Sequence, residues 1–190
     1  MVADAQTSSK LKWIVDDLEC LPDNGSRYEI IDGELHVTRA LHWQHQSVSG
    51  RIYAKLLAWS TQTNLGEPAM TPGVVFSPEK AVIPDVVWVS RERLAMLLDQ
   101  AGHLTGAPEL MVEVLSEAPK DKKRDRTAKL NLYSNEGVLE YWIADREQRL
   151  LEVYRRENGV LTKGMTLYSG DTLTSPLLPE FACEVGLLFS

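Results

Sequence analysis

Two apolar runs, each interrupted by one acidic residue, constrain the fold of this chain more than any other feature. The first, "VIPDVVWVS" (82–90), contains Asp85, and the second, "PELMVEVLS" (108–116), contains Glu113. Side chains alternate between the two faces of a strand, so a run without polar alternation is apolar on both faces. Such runs are typical of central strands that are covered on each side. A carboxylate inside such a strand is costly unless a partner compensates its charge. The sequence therefore predicts a buried sheet with two acids near its middle.

The segments around these strands predict a mixed sheet flanked by helices. "YEIIDGELHVT" (28–38) places Asp32-Gly33 between two strand-like runs, which is typical of a β-hairpin. Helices are predicted over 8–21, from about 42 to 62, over 90–100 and, as a charged segment, over 120–137. A strand meander closes the chain, so the order of elements predicts an α/β or α+β fold.

The chain of 190 residues is most simply one domain, because it contains no repeat, low-complexity segment or linker. We assign 1–26 to an N-terminal helix and its lead-in, 27–145 to the core, and 146–190 to the strand meander.

Composition limits the partners and the compartment. The net charge of −7 gives no overall attraction to nucleic acid or to anionic membranes, so polyanion binding requires a local basic patch. The two cysteines, Cys20 and Cys183, are far apart and favour a reducing cytoplasm over a disulfide scaffold or a thiolate zinc site. No apolar stretch is long enough for a signal segment or a bilayer span, so we expect a cytoplasmic protein without a membrane partner.

Two carboxylates on neighbouring central strands would repel each other, and one would take up a proton unless a cation intervened. A divalent ion resolves this conflict, and Mg²⁺ prefers carboxylate oxygens together with waters and a phosphate. Taken singly, Asp85 or Glu113 is more simply a paired core acid. No phosphate-binding loop, dinucleotide fingerprint or serine nucleophile elbow offers a competing chemistry.

The pair Pro84-Asp85 followed by Glu113 resembles the PD-(D/E)XK nuclease superfamily, although Leu115 stands where its pattern has lysine. A wider set of stretches resembles the Uma-two family of restriction endonucleases, a bacterial branch of that superfamily. These stretches are "YEIIDGEL" (28–35), "HQ" (45–46), "IPDVVWVSRERL" (83–94), "APELMVEVLS" (107–116), "DRTAKLNLY" (125–133) and "GVLEYWIAD" (137–145). After Ser116 the chain has "EAPK" instead of the serine-proline segment usual in the family.

The resemblance implies a restriction-endonuclease-like fold and a metal-dependent endonuclease that cleaves DNA with Mg²⁺ (or Mn²⁺). Asp85, Glu113 and the backbone carbonyl of Val114 would hold the metal. The catalytic lysine would come from the following helix as Lys129. Asp125, Lys129 and Tyr133 are spaced four apart, so one helical face carries an acid, an amine and a phenol. From the residues alone, a surface Asp125–Lys129 pair of little energetic weight is the simpler interpretation.

Secondary candidates lie around this core set. Glu34 is an outer or second-metal ligand or a solvent-facing turn acid, and Asp125 accompanies Lys129. His45 matches the family and is either a hydrogen-bonding residue at a helix N-terminus or a phosphate contact; His42 and His45 lack a third ligand for zinc. The basic segment "PKDKKRDRTAK" (119–129) is either a solvated helix face or a nucleic-acid contact. Its candidate contact residues are Lys122, Lys123, Arg124 and Arg126.

Three functions stay open at this point. The first is the DNA endonuclease, for which the resemblance implies a homodimer, since nucleases of this general fold often act as dimers to cut the two strands of duplex DNA. The second is a nuclease fold kept as a nucleic-acid-binding or interaction module with weak or no catalysis. The third is an unrelated metal hydrolase acting on a small phosphate ester.

Overall fold

The structure, a computed structural model, describes residues 11–39 and 42–190. The helix predicted over 8–21 begins outside the described residues, and its described part contains only a 3-10 helix, Val15–Cys20. Backbone bonds tie the preceding chain to the neighbouring turns, since Trp13 N donates to Gly33 O and Val15 N to Pro78 O. These bonds leave room for only a short helix. No helix in the described part of the chain is long and apolar enough to cross a membrane.

Twelve strands and four α-helices form within the described residues. The strands are β1 (Arg27–Ile31), β2 (Glu34–Thr38), β3 (Gly66–Met70), β4 (Val74–Ser77), β5 (Lys80–Val82), β6 (Val86–Ser90), β7 (Leu110–Val114), β8 (Glu140–Asp145), β9 (Leu150–Glu157), β10 (Val160–Tyr168), β11 (Thr172–Ser175) and β12 (Leu178–Glu184). The helices are α1 (Trp43–Thr63), α2 (Arg91–Leu97), α3 (Pro119–Lys123) and α4 (Leu130–Glu136). A π-helical stretch, Arg124–Lys129, joins α3 to α4, and a 3-10 helix, Val185–Leu188, follows β12.

The centre of the fold is a six-stranded mixed sheet in the order β10-β9-β8-β7-β6-β3. β7 and β8 are parallel, and the other neighbouring pairs are antiparallel. A four-stranded sheet, β2-β1-β5-β4, and the hairpin β11-β12 lie outside it. Every residue of β7 and the first four residues of β6 are buried, which confirms that these two apolar runs are central strands covered on both faces. β8, which the sequence predicted only as part of the closing meander, is also central and fully buried. The predicted mixed α+β fold is confirmed.

Each face of the large sheet has its own apolar core. On one face, α1 packs through Val48, Ile52, Leu56 and Trp59, the residues that recur at helical spacing in the sequence. On the other face, side chains of β7 and β8 pack against the helical segment that ends with α4 and against the four-stranded sheet. Asp85, just before β6, and Glu113, in β7, are therefore enclosed between layers that the hydrophobic pattern specifies.

The hairpin prediction is confirmed in detail. Asp32 and Gly33 both have positive φ, 51° and 80°, as a two-residue type I′ loop requires, and Ile31 pairs with Glu34 across it. By contrast, the sequence analysis did not predict β3 or the β11-β12 hairpin. The segment "GEPAM" of β3 contains glycine and proline, which are unfavourable in strands except at an edge, and pairing with β6 alone makes it one.

Candidate active site

Asp85 lies in the turn just before β6, where its carboxylate reaches across to β7. Val114 N donates to Asp85 Oδ2 at 2.9 Å, His45 Nε2 lies 3.0 Å from the same oxygen, and Arg27 Nη1 donates to Oδ1 at 2.9 Å. Burial by itself raises the pKa of Asp85, but these bonds to His45, Val114 and Arg27 bring it below its ordinary value. Asp85 is therefore an ionised carboxylate with protein partners on both oxygens.

Glu113 lies in the middle of β7 and its Oε1 accepts two hydrogen bonds. Lys129 Nζ donates to Oε1 from 2.8 Å and the Tyr133 hydroxyl from 2.7 Å. Burial raises the pKa of Glu113 to about 8, in spite of the opposing effect of Lys129, and the nearby carboxylates of Asp85 and Asp125 act in the same direction as burial. Near neutral pH, Glu113 is therefore mostly protonated. Both contacts use Oε1, which leaves Oε2 as the oxygen available to a metal ion.

Lys129 reaches this strand from the helix, as the resemblance implied. Its side chain is buried, and Nζ lies 2.8 Å from Glu29 Oε1 as well as 2.8 Å from Glu113 Oε1. Burial lowers the pKa of Lys129, but Glu113, Glu29 and Asp125 together hold it above its ordinary value. Because the pKa of Glu29 is lowered and that of Glu113 is raised, we assign Glu29 as the counter-ion of Lys129 and Glu113 as a neutral acceptor.

The π-helical stretch and α4, over residues 124–136, direct Asp125, Lys129 and Tyr133 toward the sheet on one face, as their spacing predicted. Lys129 is 1% exposed and Asp125 2% exposed, so the interpretation of these two residues as a surface pair is wrong. Their segment is π-helical, a geometry that occurs mostly as short insertions in α-helices, frequently at functional sites. Burial raises the pKa of Asp125, whose Oδ1 accepts from Arg124 Nε at 3.2 Å.

Sequence reasoning missed two site residues of β1, Arg27 and Glu29. Arg27 bonds Asp85. Glu29 is buried and accepts from Ile83 N at 2.9 Å in addition to Lys129. The sequence analysis selected Glu34 from this hairpin, yet Glu34 is exposed on β2 and does not line the cavity described below. The missed signal was the one that identified Glu113, an acid between apolar residues of a strand, here in "RYEII".

A small cavity of about 10 Å³ lies where these side chains meet, which is room for about one water molecule. It is lined by Arg27, Glu29, Thr38, His45, Ile83, Asp85, Glu113, Val114, Ser116, Arg124, Asp125 and Lys129. Four carboxylates face three permanent cations there. The predicted residues Asp85, Glu113, Val114 and Lys129 thus converge, together with the secondary candidates His45 and Asp125.

The donor atoms at this cavity fit a hard divalent cation. Within residues 11–39 and 42–190, no group of three or more His, Cys, Asp or Glu side chains is already arranged around a metal position. Mg²⁺ does not require such a cage, because it commonly binds one or two carboxylates and completes its shell with waters and substrate phosphate. Glu113 Oε2, the remaining lone pair of Asp85 Oδ1 and the carbonyl of Val114 supply oxygen donors of this kind.

Most of the candidate nucleic-acid contacts on the basic segment are engaged within the protein. Lys122 pairs with Glu147, and Arg126 with Asp145 and Glu152. Arg124 lines the active-site cavity and bonds to acids of its own segment and to a threonine of β2. Lys123 is exposed and forms no ion pair with the described residues. This segment therefore offers little free positive charge.

His42 and His45 have separate roles at the start of α1. His42 caps the helix, since its Nδ1 accepts from Gln44 N at 3.3 Å. His45 is 3% exposed and bonds Asp85 through Nε2, while its buried Nδ1 has no hydrogen-bond partner within the described chain. The two rings therefore do not form a zinc pair, and His45 orients an acid of the site.

The mixed sheet with its flanking helices defines a nuclease-like fold. A crystal structure described as a putative nuclease belonging to DUF820, from Anabaena variabilis, shares this fold with a TM-score of 0.74 and 16% sequence identity. The match covers 93% of this chain and 97% of that one. Residues 15–186 match the Uma2 family, described as "Putative restriction endonuclease", and the chain belongs to this family. Comparison with the curated proteins gives no match.

Proposed function

We propose that this protein is a metal-dependent endonuclease of the PD-(D/E)XK type that hydrolyses phosphodiester bonds in DNA. One observation carries the proposal: Asp85 from the turn before β6, Glu113 from β7 and Lys129 from the helical segment line a single cavity, and Lys129 Nζ lies 2.8 Å from Glu113. Membership of a restriction endonuclease family supports the same reaction class.

The metal would be held by Asp85, Glu113 and the carbonyl of Val114, and we propose Mg²⁺ (or Mn²⁺). When bound, the ion would supply a water of lowered pKa and positive charge for the scissile phosphate. Glu113 would release its proton on binding the metal, since a carboxylate ligand must be ionised.

Lys129 would donate a hydrogen bond to the attacking water or to a phosphoryl oxygen. An ammonium group has three N–H donors, and two of them are used by Glu29 and Glu113. The third is available to a substrate. Because Lys129 is fixed by two carboxylates in a buried site, its charge is already oriented before the substrate arrives, which is the condition for effective electrostatic stabilisation.

Arg27 and Arg124 are the other two cations at the cavity, and they would offset charge on the phosphate. Arg27 already bonds Asp85, and Arg124 bonds Asp125. A phosphate entering between them would exchange these carboxylate contacts for phosphoryl oxygens, while His45 keeps Asp85 in place from the other side.

The decisive assay measures nicking and linearisation of supercoiled plasmid with Mg²⁺, Mn²⁺ or EDTA. We expect cleavage by the wild type that requires the metal, and loss of cleavage in Glu113→Gln and Lys129→Met. Lys120→Met is the matched control, because Lys120 is exposed on the adjoining α3, and we expect it to cleave normally. Cleavage that survives both site variants would refute the assignment.

The two other functions make different predictions in the same experiment. A nuclease fold that only binds would retain the plasmid in a gel shift without cutting it under any metal condition. A hydrolase of small phosphate esters would release phosphate from a nucleotide or an aryl phosphate and leave DNA intact. We also propose a cytoplasmic homodimer; light scattering of the purified protein that gives the mass of a monomer would contradict the dimer.

A further inference from the structure

A second groove lies at the N-terminal end of α1, with a volume of about 390 Å³. We call it the α1 groove, and its lining residues are Trp43, Gln44, Ser47, Val48, Arg51, Arg146, Arg149, Phe189 and Ser190. Three of these residues are arginines, and none of them is Asp or Glu. This groove therefore concentrates positive charge on a chain whose net charge is −7.

Two of the three arginines of the α1 groove, Arg51 and Arg149, have no carboxylate partner in the described part of the chain. Arg51 Nη1 donates to the neutral hydroxyl of Ser47 at 2.8 Å. Arg149 is exposed, and its guanidinium pairs with no carboxylate in the described part of the chain. Arg146 is the exception, because its side chain is only 7% exposed and bonds Gln44 and, at 2.9 Å, Glu117. The basic segment differs, since the side chains of Lys122 and Arg126 are paired with acids.

Trp43, the first residue of α1, is 83% exposed and lines the same groove. A single exposed apolar residue needs no explanation by itself. Here, however, an accessible indole stands beside three guanidinium groups. Aromatic faces next to a basic groove are the combination by which proteins bind single-stranded nucleic acid, because each base can stack and each phosphate can pair.

The α1 groove is connected to the candidate active site. An intermediate pocket of about 210 Å³ shares Arg146 with the α1 groove, and it shares Thr38, His45 and Ser116 with the active-site cavity. Arg39, which is exposed, adds a further cation to this pocket. Two acids also line it, Glu117 and Asp121, and they pair with Arg146 and Arg124 respectively. The buried Nδ1 of His45 has no partner among the described residues. Neighbouring pockets with shared lining residues therefore connect the surface around Trp43 to the active-site cavity.

We propose that this path binds single-stranded DNA, with one base stacked on Trp43 and the backbone phosphates on Arg51 and Arg149. The strand then passes Arg146 and His45 and brings a phosphate to the active-site cavity. A single strand fits better than a duplex, because an unpaired base exposes a face that the indole can stack on, whereas duplex bases are already stacked on each other. The inference rests on the proposed function for the end of the path, but binding itself does not require cleavage.

The test is the affinity for a fluorescently labelled 12-nucleotide strand and for the same sequence as a duplex, measured by anisotropy in EDTA. We expect tighter binding of the single strand, and a loss of about 10-fold or more in Trp43→Ala, with partial recovery in Trp43→Phe. The slope of log Kd against log salt concentration should be smaller by about 0.7 in Arg149→Ala. This is the contribution of one phosphate contact on a single strand. Lys55→Ala is the matched control, since Lys55 is exposed on the same helix and outside the groove.

Several outcomes would overturn the inference. These are equal affinity of wild type and Trp43→Ala, a loss in Lys55→Ala as large as that in Arg149→Ala, or tighter binding of the duplex. Preference for the corresponding RNA strand, or a Trp43→Ala variant that only changes the oligomeric state, would also refute it. Glu113→Gln separates the two proposals: if wild type and variant bind the strand alike but neither cleaves, the proposed function fails and this inference stands.

Discussion

Glu113→Gln is expected to stabilise the protein increasingly as the pH rises from about 4.5 to 8. Burial raises the folded-state pKa of Glu113 to about 8, whereas an unfolded glutamate titrates near 4.5. Between these values the folded protein binds a proton that the unfolded chain does not bind, so the free energy of unfolding falls as the pH rises. Glutamine does not titrate, and its amide oxygen can still accept from Lys129 and Tyr133.

The magnitude follows from the same two values. Each unit of pKa is worth about 1.4 kcal/mol, so a change from 4.5 to about 8 corresponds to at most about 5 kcal/mol. We expect the variant to gain at least about 2 kcal/mol over wild type between pH 5 and 8, with little further change above pH 8.5. The other buried carboxylates titrate in both proteins and largely cancel in the difference.

Urea unfolding of both proteins at half-unit pH steps in EDTA measures this difference directly. EDTA matters because a bound metal would stabilise ionised Glu113 in the wild type. A difference that stays constant would contradict the argument, and so would a wild type that gains on the variant as the pH rises. Either result would mean that Glu113 is ionised in the fold and forms a charged pair with Lys129.

Three further predictions address the rest of the site and its scaffold. Lys129→Met should lower the free energy of unfolding by about 3 kcal/mol, because it leaves the Glu29 carboxylate buried without its cation; an unchanged urea midpoint would refute that role. Nicking activity at low Mg²⁺ should rise with pH through about 8 as Glu113 loses its proton, and higher Mg²⁺ should move this rise to lower pH; a flat profile would contradict it. Gly66→Ala should lower the free energy of unfolding by about 1–3 kcal/mol, because its Cβ would lie 2.3 Å from a carbonyl oxygen of β6. Gly50→Ala should raise it by about 0.5–1 kcal/mol, because Gly50 lies inside α1 with open space around it. Thermal unfolding of the two variants compares these effects.

Local patterns were sufficient for most of the central fold. The apolar content of β6 and β7 on both faces predicted central strands, and the Asp-Gly pair predicted the hairpin between β1 and β2. β8 was predicted only as a strand of the closing meander, and its pairing with β7 and β9 makes it central. The spacing of three and four residues from Val48 to Trp59 identified the buried face of α1. Each of these signals is short-range, because it depends on backbone geometry over a few residues. β3 has no such short-range signal in its sequence. It is a strand because it pairs with β6, which is distant in the sequence.

The site was only partly accessible to the same reasoning. Asp85 and Glu113 stand out as acids in apolar strands, and family resemblance indicated Lys129. Spacing alone favoured a surface pair of Asp125 and Lys129, but both residues are buried. Glu29 carried the same signal as Glu113, but its hairpin neighbour Glu34 was selected because it follows the turn and matches a position that the family resemblance favours.

The sequence by itself determined the central strands, the hairpin, the buried face of α1 and the presence of two acids that need compensation, because hydrophobic period and turn chemistry act locally. Only the tertiary structure determined which acidic and basic side chains form ion pairs. It made Glu29 the partner of Lys129 and paired the basic segment with acids of β8 and β9. It also gathered Arg51, Arg146 and Arg149 beside Trp43. Such encounters depend on strand order and helix packing across distant parts of the chain, and no local pattern encodes them.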